Sequence, residues 1–557
     1  MLSSAVTRRV QSIVFFSVCA MTLVVTPWFN LDPINLPKFL LLIVCSLTSL
    51  GYLLPQAKNL SIGDVRLLAW FVLIFIAGLF LSFVLSGSGV LAQLFGQYGR
   101  NTGLLAYLAM SSMCLVVAVI SNKNFASRLV WVLIATGAVN AVYGFVQWAG
   151  VDPIAWSESA DRIFGTLGNS NFLSAHLGIA SLAALALLLG GGVSTSLRVL
   201  MSLGIGLAMF VVYQSKSIQG LMVFLLCASI VVYFRFVARL RFSFLKYLYW
   251  AIFVVGSAFG VVGVLNKGPL APILYQESVT FRGDYWRAGL NMTLDHPIFG
   301  VGLDSYGDWY RFSRTEAAAL RRGPDITSNS AHNVFLDISS SGGFILLIGY
   351  LLIFGLVLKS ALRILRKSSS YDAVGVGLAS TWAAYNLQSI ISINQLGLAI
   401  WGWVLGGAII GYDVFGERSD TPPRKVLQQK NPELTPASSV LSGTLGIVLG
   451  IALAIWPVVQ DVSFRRALEK SDALAIQKAT NQFPRNNYYY VAAGSIFSSN
   501  KLDDRSLEMA RKALAANPRD FGAWKILVAN PKLSDSERAS AIAKMKELDP
   551  FNNTLGD

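Results

Sequence analysis

Charge is scarce in this 557-residue chain. Asp, Glu, Lys and Arg make up 13% of it, about half the share found in soluble globular proteins. Histidine is scarcer still, with three copies: His176, His296 and His332. The four cysteines (Cys19, Cys45, Cys114, Cys227) all lie inside apolar runs, so they read as small buried hydrophobes, and neither a disulfide framework nor a zinc site is expected. There is no P-loop and no dinucleotide fingerprint, which argues against ATP or nucleotide-cofactor chemistry. No Asp-x-Asp triplet occurs in the outer segments, which speaks against a divalent-cation mechanism. No metal and no cofactor are expected.

What the chain has in excess is apolar surface. Hydrophobic residues make up 54% of it and the mean hydropathy is +0.56. The expected class is all-α, a polytopic membrane protein with about 12–13 transmembrane helices. Runs of roughly the 20 residues that a bilayer core requires occur near 12–28, 37–54, 66–86, 102–120, 128–149, 171–190, 197–213, 217–235, 246–265, 334–358, 372–391, 394–412 and 438–457. The pair at 372–412 divides only at Ser392-Ile393-Asn394. Arg8-Arg9 before an apolar run resembles a signal peptide. No small-residue cleavage site follows, so the run is read as a retained first helix.

The net charge of +15 would suggest nucleic acid in a soluble protein, but its distribution points elsewhere. One alternate set of loops, starting with the N-terminus, carries nineteen basic residues against six acidic ones, including Arg235, Arg363, Arg366, Arg418 and Arg424. The other set is nearly balanced in its short loops. The positive-inside rule places the N-terminus in the cytoplasm, and no nucleic-acid partner is expected. Two large segments then fall outside: the loop 266–332 and the tail 458–557. The expected organisation is a membrane domain over 1–457 and a soluble helical domain over 458–557. In the tail, Pro484, Pro518 and Pro550 each follow a helix-like run at a spacing of 34 and then 32 residues. That period is close to a tetratricopeptide repeat, so the tail reads as TPR-like, a docking surface for a protein partner. A generic helical bundle is the plainer alternative.

The chemistry-bearing residues cluster on the outer side. The loop 266–332 holds seven basic and seven acidic residues among aromatic anchors, and should fold as short helices over the outer face. Arg282 and Arg287 flank Tyr285-Trp286. Gly300 and Gly302 follow His296-Pro297 in a turn that permits close backbone approach. His332-Asn333 stands where the next membrane helix begins, where an imidazole can be shielded yet reach water and accept a proton. The alternative is that the pair only caps the helix. Arg100, Arg162, Asn169, Asn171 and Lys216 lie in outer turns that normally avoid cations. Singly each reads as a cap or a snorkelling side chain. Together they suggest a cationic pocket for a phosphate-bearing ligand.

These residues resemble the O-antigen ligase and polymerase superfamily over roughly 30–412. The resemblance rests on Arg282, Asp295-His296-Pro297-Ile298-Phe299-Gly300-Val301-Gly302 and Ala331-His332-Asn333. It extends to Leu36-Pro37-Lys38, Tyr98-Gly99-Arg100-Asn101-Thr102-Gly103 and the stretch from Gly165 to Asn171. It implies a glycosyltransferase of the bacterial cytoplasmic membrane, with the large loop and the tail extracytoplasmic. The donor would be a glycan on undecaprenyl pyrophosphate. The acceptor would be lipid A core, another glycan or a protein. The family's essential arginine and histidine map onto Arg282 and His332. Lys216 stands where an arginine is usual, and Gly168-Asn169-Ser170-Asn171 replaces the Gln-Pro-Asn-His run of protein O-oligosaccharyltransferases. On this reading His332 is the base, Arg282 acts with it, and Lys216, Arg162, Arg100 and Arg287 hold pyrophosphate, supported by Asn333, Asn169, Asn171, His296, Gly300 and Gly302. Membrane lipids surround the helices. A polymerase of the same superfamily is the near alternative, and a small-anion transporter, for example of bicarbonate, is the alternative of another class.

Overall fold

The computed structural model describes residues 3–59, 63–156, 163–367, 370–415 and 435–555. Arg162, the cationic loop holding Arg418 and Arg424, and their neighbours lie outside the described residues. The described residues form helices without a strand: α1 (Ser4–Leu23), α2 (Asn35–Leu53), α3 (Gly63–Leu85), α4 (Val90–Phe95), α5 (Leu104–Ile120), α6 (Lys123–Trp148), α7 (Ser170–Gly190), α8 (Thr195–Gln214), α9 (Gln219–Val232) and α10 (Ser243–Val264). The large loop folds into α11 (Ala271–Leu274), α12 (Glu277–Asp295), α13 (Tyr306–Ser313) and α14 (Glu316–Arg322). Then follow α15 (Val334–Lys367), α16 (Ala373–Ser389), α17 (Leu396–Phe415) and α18 (Ala437–Glu469). The tail adds α19 (Ala473–Thr480), α20 (Asn487–Ser499), α21 (Asp503–Ala516), α22 (Phe521–Ala529) and α23 (Asp535–Leu548).

A helix stands at every one of the thirteen expected apolar runs. Ten helices among the described residues are long and apolar enough to cross a membrane, which makes this a multi-pass membrane protein. The other three have physical reasons for falling short. α1 carries Arg8 and Arg9 in its first turns, and α5 spans only 17 residues. α16 is buried among its neighbours and carries Ser380, Thr381, Asn386 and Gln388, which lower its hydropathy without meeting lipid. The core joins buried residues of α1, α2, α3, α5, α6, α7, α9, α15, α16 and α17. α10, by contrast, leaves Ile252, Val254 and Phe259 exposed, as a helix facing hydrocarbon does.

Two irregularities shape the face that bears the large loop. α15 is broken at Gly343, whose φ of +65° and ψ of −168° are not helical. There Phe344 N–H leaves the helical ladder and donates to Pro297 C=O at 2.7 Å. The turn after α12 has entered the helix, so the segment from Val334 to the break is a half-helix, with Val334 and Ile338 packed in the main core. α18 instead runs unbroken past Pro457, so the expected boundary at 458 lies within a continuous helix. Its far end carries Asp461, which accepts from Leu31 N–H at 2.6 Å and Asn30 Nδ2 at 3.0 Å.

The tail folds back onto the face that bears the large loop. Its helices end where the sequence places prolines, with Pro484 between α19 and α20, Pro518 between α21 and α22, and Pro550 after α23. Arg519 of the tail lies 3.5 Å from the centroid of Trp309, and Lys525 pairs with Asp325 of the loop. Tail and large loop therefore occupy one side of the helix bundle.

Candidate active site

His332 is positioned by a turn that its neighbours force. Asp337, in the first turn of α15, accepts from Ser330 Oγ and from Ala331 N–H, each at 2.7 Å. Ser330 Oγ in turn accepts from His332 N–H at 2.9 Å. This network holds His332 at φ +51°, a left-handed conformation that costs a non-glycine residue about 1–3 kcal/mol. Such strain persists only where surroundings over-determine it. Asn333 is the helix cap that the bland reading anticipated: its Oδ1 accepts from Phe335 and Leu336 N–H at 3.0 and 3.2 Å.

The imidazole stacks on Tyr285 of α12, with ring centroids 5.3 Å apart. Among the described residues its ring nitrogens have no hydrogen-bond partner. Burial, then the charges of Arg282 and Arg100, lower its pKa from 6.5 to about 4. His332 is thus neutral at pH 7, with a free lone pair. Arg282 is half-buried and has no carboxylate partner among the described residues; burial lowers its pKa below the ordinary value. An unpaired guanidinium in a drying environment is a site waiting for an anion.

Arg100 is differently placed. It is buried, with Nε 3.3 Å from Asp304 and Nη2 3.9 Å from Asp337, and it also donates to Asn329 C=O. Burial disfavours its charge, yet the two carboxylates outweigh this and raise its pKa. Its guanidinium is engaged by the protein, so it acts on the site as a fixed charge and a brace.

A cleft of about 930 Å³ opens beside it. Arg100, Lys216, Asn169, Asn171 and Tyr98 are in its lining. Lys216 is exposed, at φ +55°, with no partner among the described residues. Asn169 caps α7 by accepting from Asn171 N–H at 2.8 Å, and Asn171 Oδ1 accepts from Ser217 Oγ at 2.7 Å, tying the Lys216 turn to α7. Beneath them Lys38, fully buried, donates from Nζ to Thr166 C=O at 2.6 Å and anchors the stretch that forms the cleft's wall.

The expected residues thus fall into three groups. His332, Arg282 and Arg100 lie within electrostatic reach of one another. Lys216, Asn169 and Asn171 share the cleft with Arg100, which links the two groups. The rest stand apart. Arg287 is exposed on α12. His296 packs against Trp309, with centroids 4.6 Å apart. Gly300 serves the backbone: a Cβ there would come within 2.3 Å of the Ser341 carbonyl carbon, and its neighbour Val301 donates to Ser340 C=O at 2.8 Å. Gly302 donates to Ser341 C=O at 3.0 Å. Among the described residues no three His, Cys, Asp or Glu side chains gather as a metal site.

Sequence reasoning passed over Asp337 and Asp304, and noted Tyr285 only as an aromatic anchor of the loop. For Asp337 a signal existed: an acid within an apolar span marks a functional or bracing position by default.

Residues 179–351 match a family model described as O-Antigen ligase, a stretch that begins within α7, contains the whole large loop and ends within α15. It includes both Arg282 and His332. No curated protein matches the chain. The segment of this multi-pass membrane protein that carries both residues is thus similar to the O-antigen ligase family.

Proposed function

We propose that the protein transfers a glycan from undecaprenyl pyrophosphate to an acceptor hydroxyl at the outer face of the bacterial cytoplasmic membrane. The acceptor is a lipid A core, a glycan or a protein. One observation carries the reading: a neutral, unpartnered imidazole is held in a strained turn within electrostatic reach of an unpaired, half-buried arginine.

The chemistry follows from the charges. Pyrophosphate is a competent leaving group, so breaking the bond between the sugar's anomeric carbon and the phosphate oxygen requires stabilised charge more than an acid. Arg282, with Lys216 in the adjoining cleft, supplies it. The acceptor oxygen forms the new bond to the anomeric carbon, and its proton passes to His332. A base with a pKa of about 4 is weak, but the pKa is low partly because Arg282 and Arg100 repel a proton. A bound diphosphate offsets Arg282 and raises the pKa, so the base strengthens once the donor is seated. Exposed apolar faces between helices suit the polyprenyl chain. The topology that supports this reading puts the N-terminus in the cytoplasm and the large loop and tail outside. The alternating helices and proline spacing of the tail support a TPR-like fold.

The test is glycan transfer by His332→Ala and Arg282→Ala in membranes, with insertion checked separately. Loss of a proton acceptor costs about 10²–10⁴-fold in rate. Wild-type transfer by both variants would sink the assignment.

A further inference from the structure

Two clefts open on the outer face, and they share a wall. The second, of about 900 Å³, lies between the tail and the membrane domain. Tyr98 lines both, with its ring stacked on Tyr488 of the tail at 3.8 Å. The transfer chemistry above uses nothing in this second cleft.

Its lining has a specific chemical character. Tyr488 offers a partly exposed aromatic ring, and Arg485 an exposed cation. Asn487 donates to Asp520, while its Oδ1 is buried without a partner. Asp308 faces Asp520, and burial followed by that neighbouring charge pushes its pKa up to about 7. Aromatic faces accept the C–H face of a pyranose. Planar amides and carboxylates take pairs of adjacent hydroxyls. A polyprenyl chain would strand these polar groups unpaired. Opposite charges in the same lining disfavour a purely anionic ligand.

We propose that the second cleft is a saccharide subsite, holding sugar units of a glycan beyond the reacting residue, with the tail supplying one wall. This rests on the glycan-transfer reading. Only the Tyr98 ring and its stacked partner Tyr488 stand between the subsite and the cleft that would hold the pyrophosphate, so sugar units beyond the reacting residue have to cross no more than this pair of rings to reach it. The glycan belongs either to the donor or to the acceptor, and the recognition chemistry is the same for both.

The experiment uses the full chain in detergent and two probes. One is the oligosaccharide released by mild acid from the cells' polyprenyl-linked glycans, and the other is their delipidated core oligosaccharide. Saturation-transfer NMR reads binding to wild type, His332→Ala, Arg485→Ala and Ala515→Trp. Ala515 is exposed on α21 and lines the cleft, so the indole fills it without entering the core. One probe should bind wild type and His332→Ala alike and bind both cleft variants about tenfold more weakly, with KM rising more than kcat falls. The probe that responds names the source. Equal binding by the cleft variants, or no binding of either probe, overturns the subsite. If wild type then still transfers glycan and His332→Ala does not, the transfer reading survives alone. Cleft-dependent binding by a wild type that transfers nothing would support the subsite and overturn the transfer reading.

Discussion

Arg314 meets Asp549 with Nη2 2.7 Å from Oδ1 and 2.9 Å from Oδ2, and both side chains are sealed from solvent. Arg314 follows α13 in the large loop, and Asp549 caps the last helix of the tail. Arg311 adds a second contact to the same carboxylate at 2.8 Å. A buried pair of this kind contributes little net stability, because desolvation offsets the attraction. Removing one partner is different, since Asp549→Ala strands two guanidiniums. Unfolding of the full chain in detergent should show a loss of about 3–5 kcal/mol. A melting curve superimposable on wild type would mean that the tail is not clamped through this residue.

The second prediction concerns pH. His332 has a pKa of about 4 against an ordinary 6.5, and its neutral form is the active base. In the free enzyme, activity is lost only as pH falls through about 4. With donor bound, the diphosphate neutralises Arg282 and the pKa moves up. The acid limb of kcat, which reports the complex, should therefore lie at higher pH than that of kcat/KM, which reports the free enzyme. Coincident limbs would count against phosphate seated beside Arg282.

Much of this architecture was legible from composition. The apolar runs, the late loop and the proline rhythm of the tail all reappear as helices and breaks, because each is a local property of a few consecutive residues. His332 drew notice in the sequence as a polar residue where an apolar span begins, and Arg282 as a cation beside Tyr285-Trp286 in the large loop. The engagement of Arg100 was not. Its partners Asp304 and Asp337 lie more than 200 positions away, and a phosphate-binding arginine looks the same in sequence as one held by acids. Nor was the break in α15 legible. Gly343 is one of several glycines in apolar helices, and only the arriving Pro297 carbonyl makes it a kink. Arg287 shows the opposite failure, since a helical spacing of five from Arg282 turns it to solvent.

Asp337 should behave as a positioning residue. Asp337→Asn retains size but removes one acceptor, leaving Ser330 O–H or Ala331 N–H unpaired at a cost of about 1–3 kcal/mol. It also leaves Arg100 less neutralised, so His332 feels more positive charge. Transfer should fall, and the acid limb of kcat/KM should move to lower pH. A purely structural role would lower stability without moving that limb.

Gly300 and Gly99 separate backbone strain from close packing. Both have positive φ, +65° and +79°. A Cβ on Gly99 meets nothing within 4 Å, whereas one on Gly300 would stand 2.3 Å from the Ser341 carbonyl carbon and 2.5 Å from Gly342 N. Gly99→Ala therefore carries only the left-handed penalty of about 1–2 kcal/mol. Gly300→Ala must also push the 296–302 turn out of the break in α15, detaching the Val301 and Gly302 bonds to Ser340 and Ser341. Each lost buried bond adds about 1–3 kcal/mol. The half-helix that follows His332 then loses its brace, so Gly300→Ala should be both less stable and less active than Gly99→Ala. Equal melting temperatures and equal transfer for the two would show that the turn does not hold the half-helix in place.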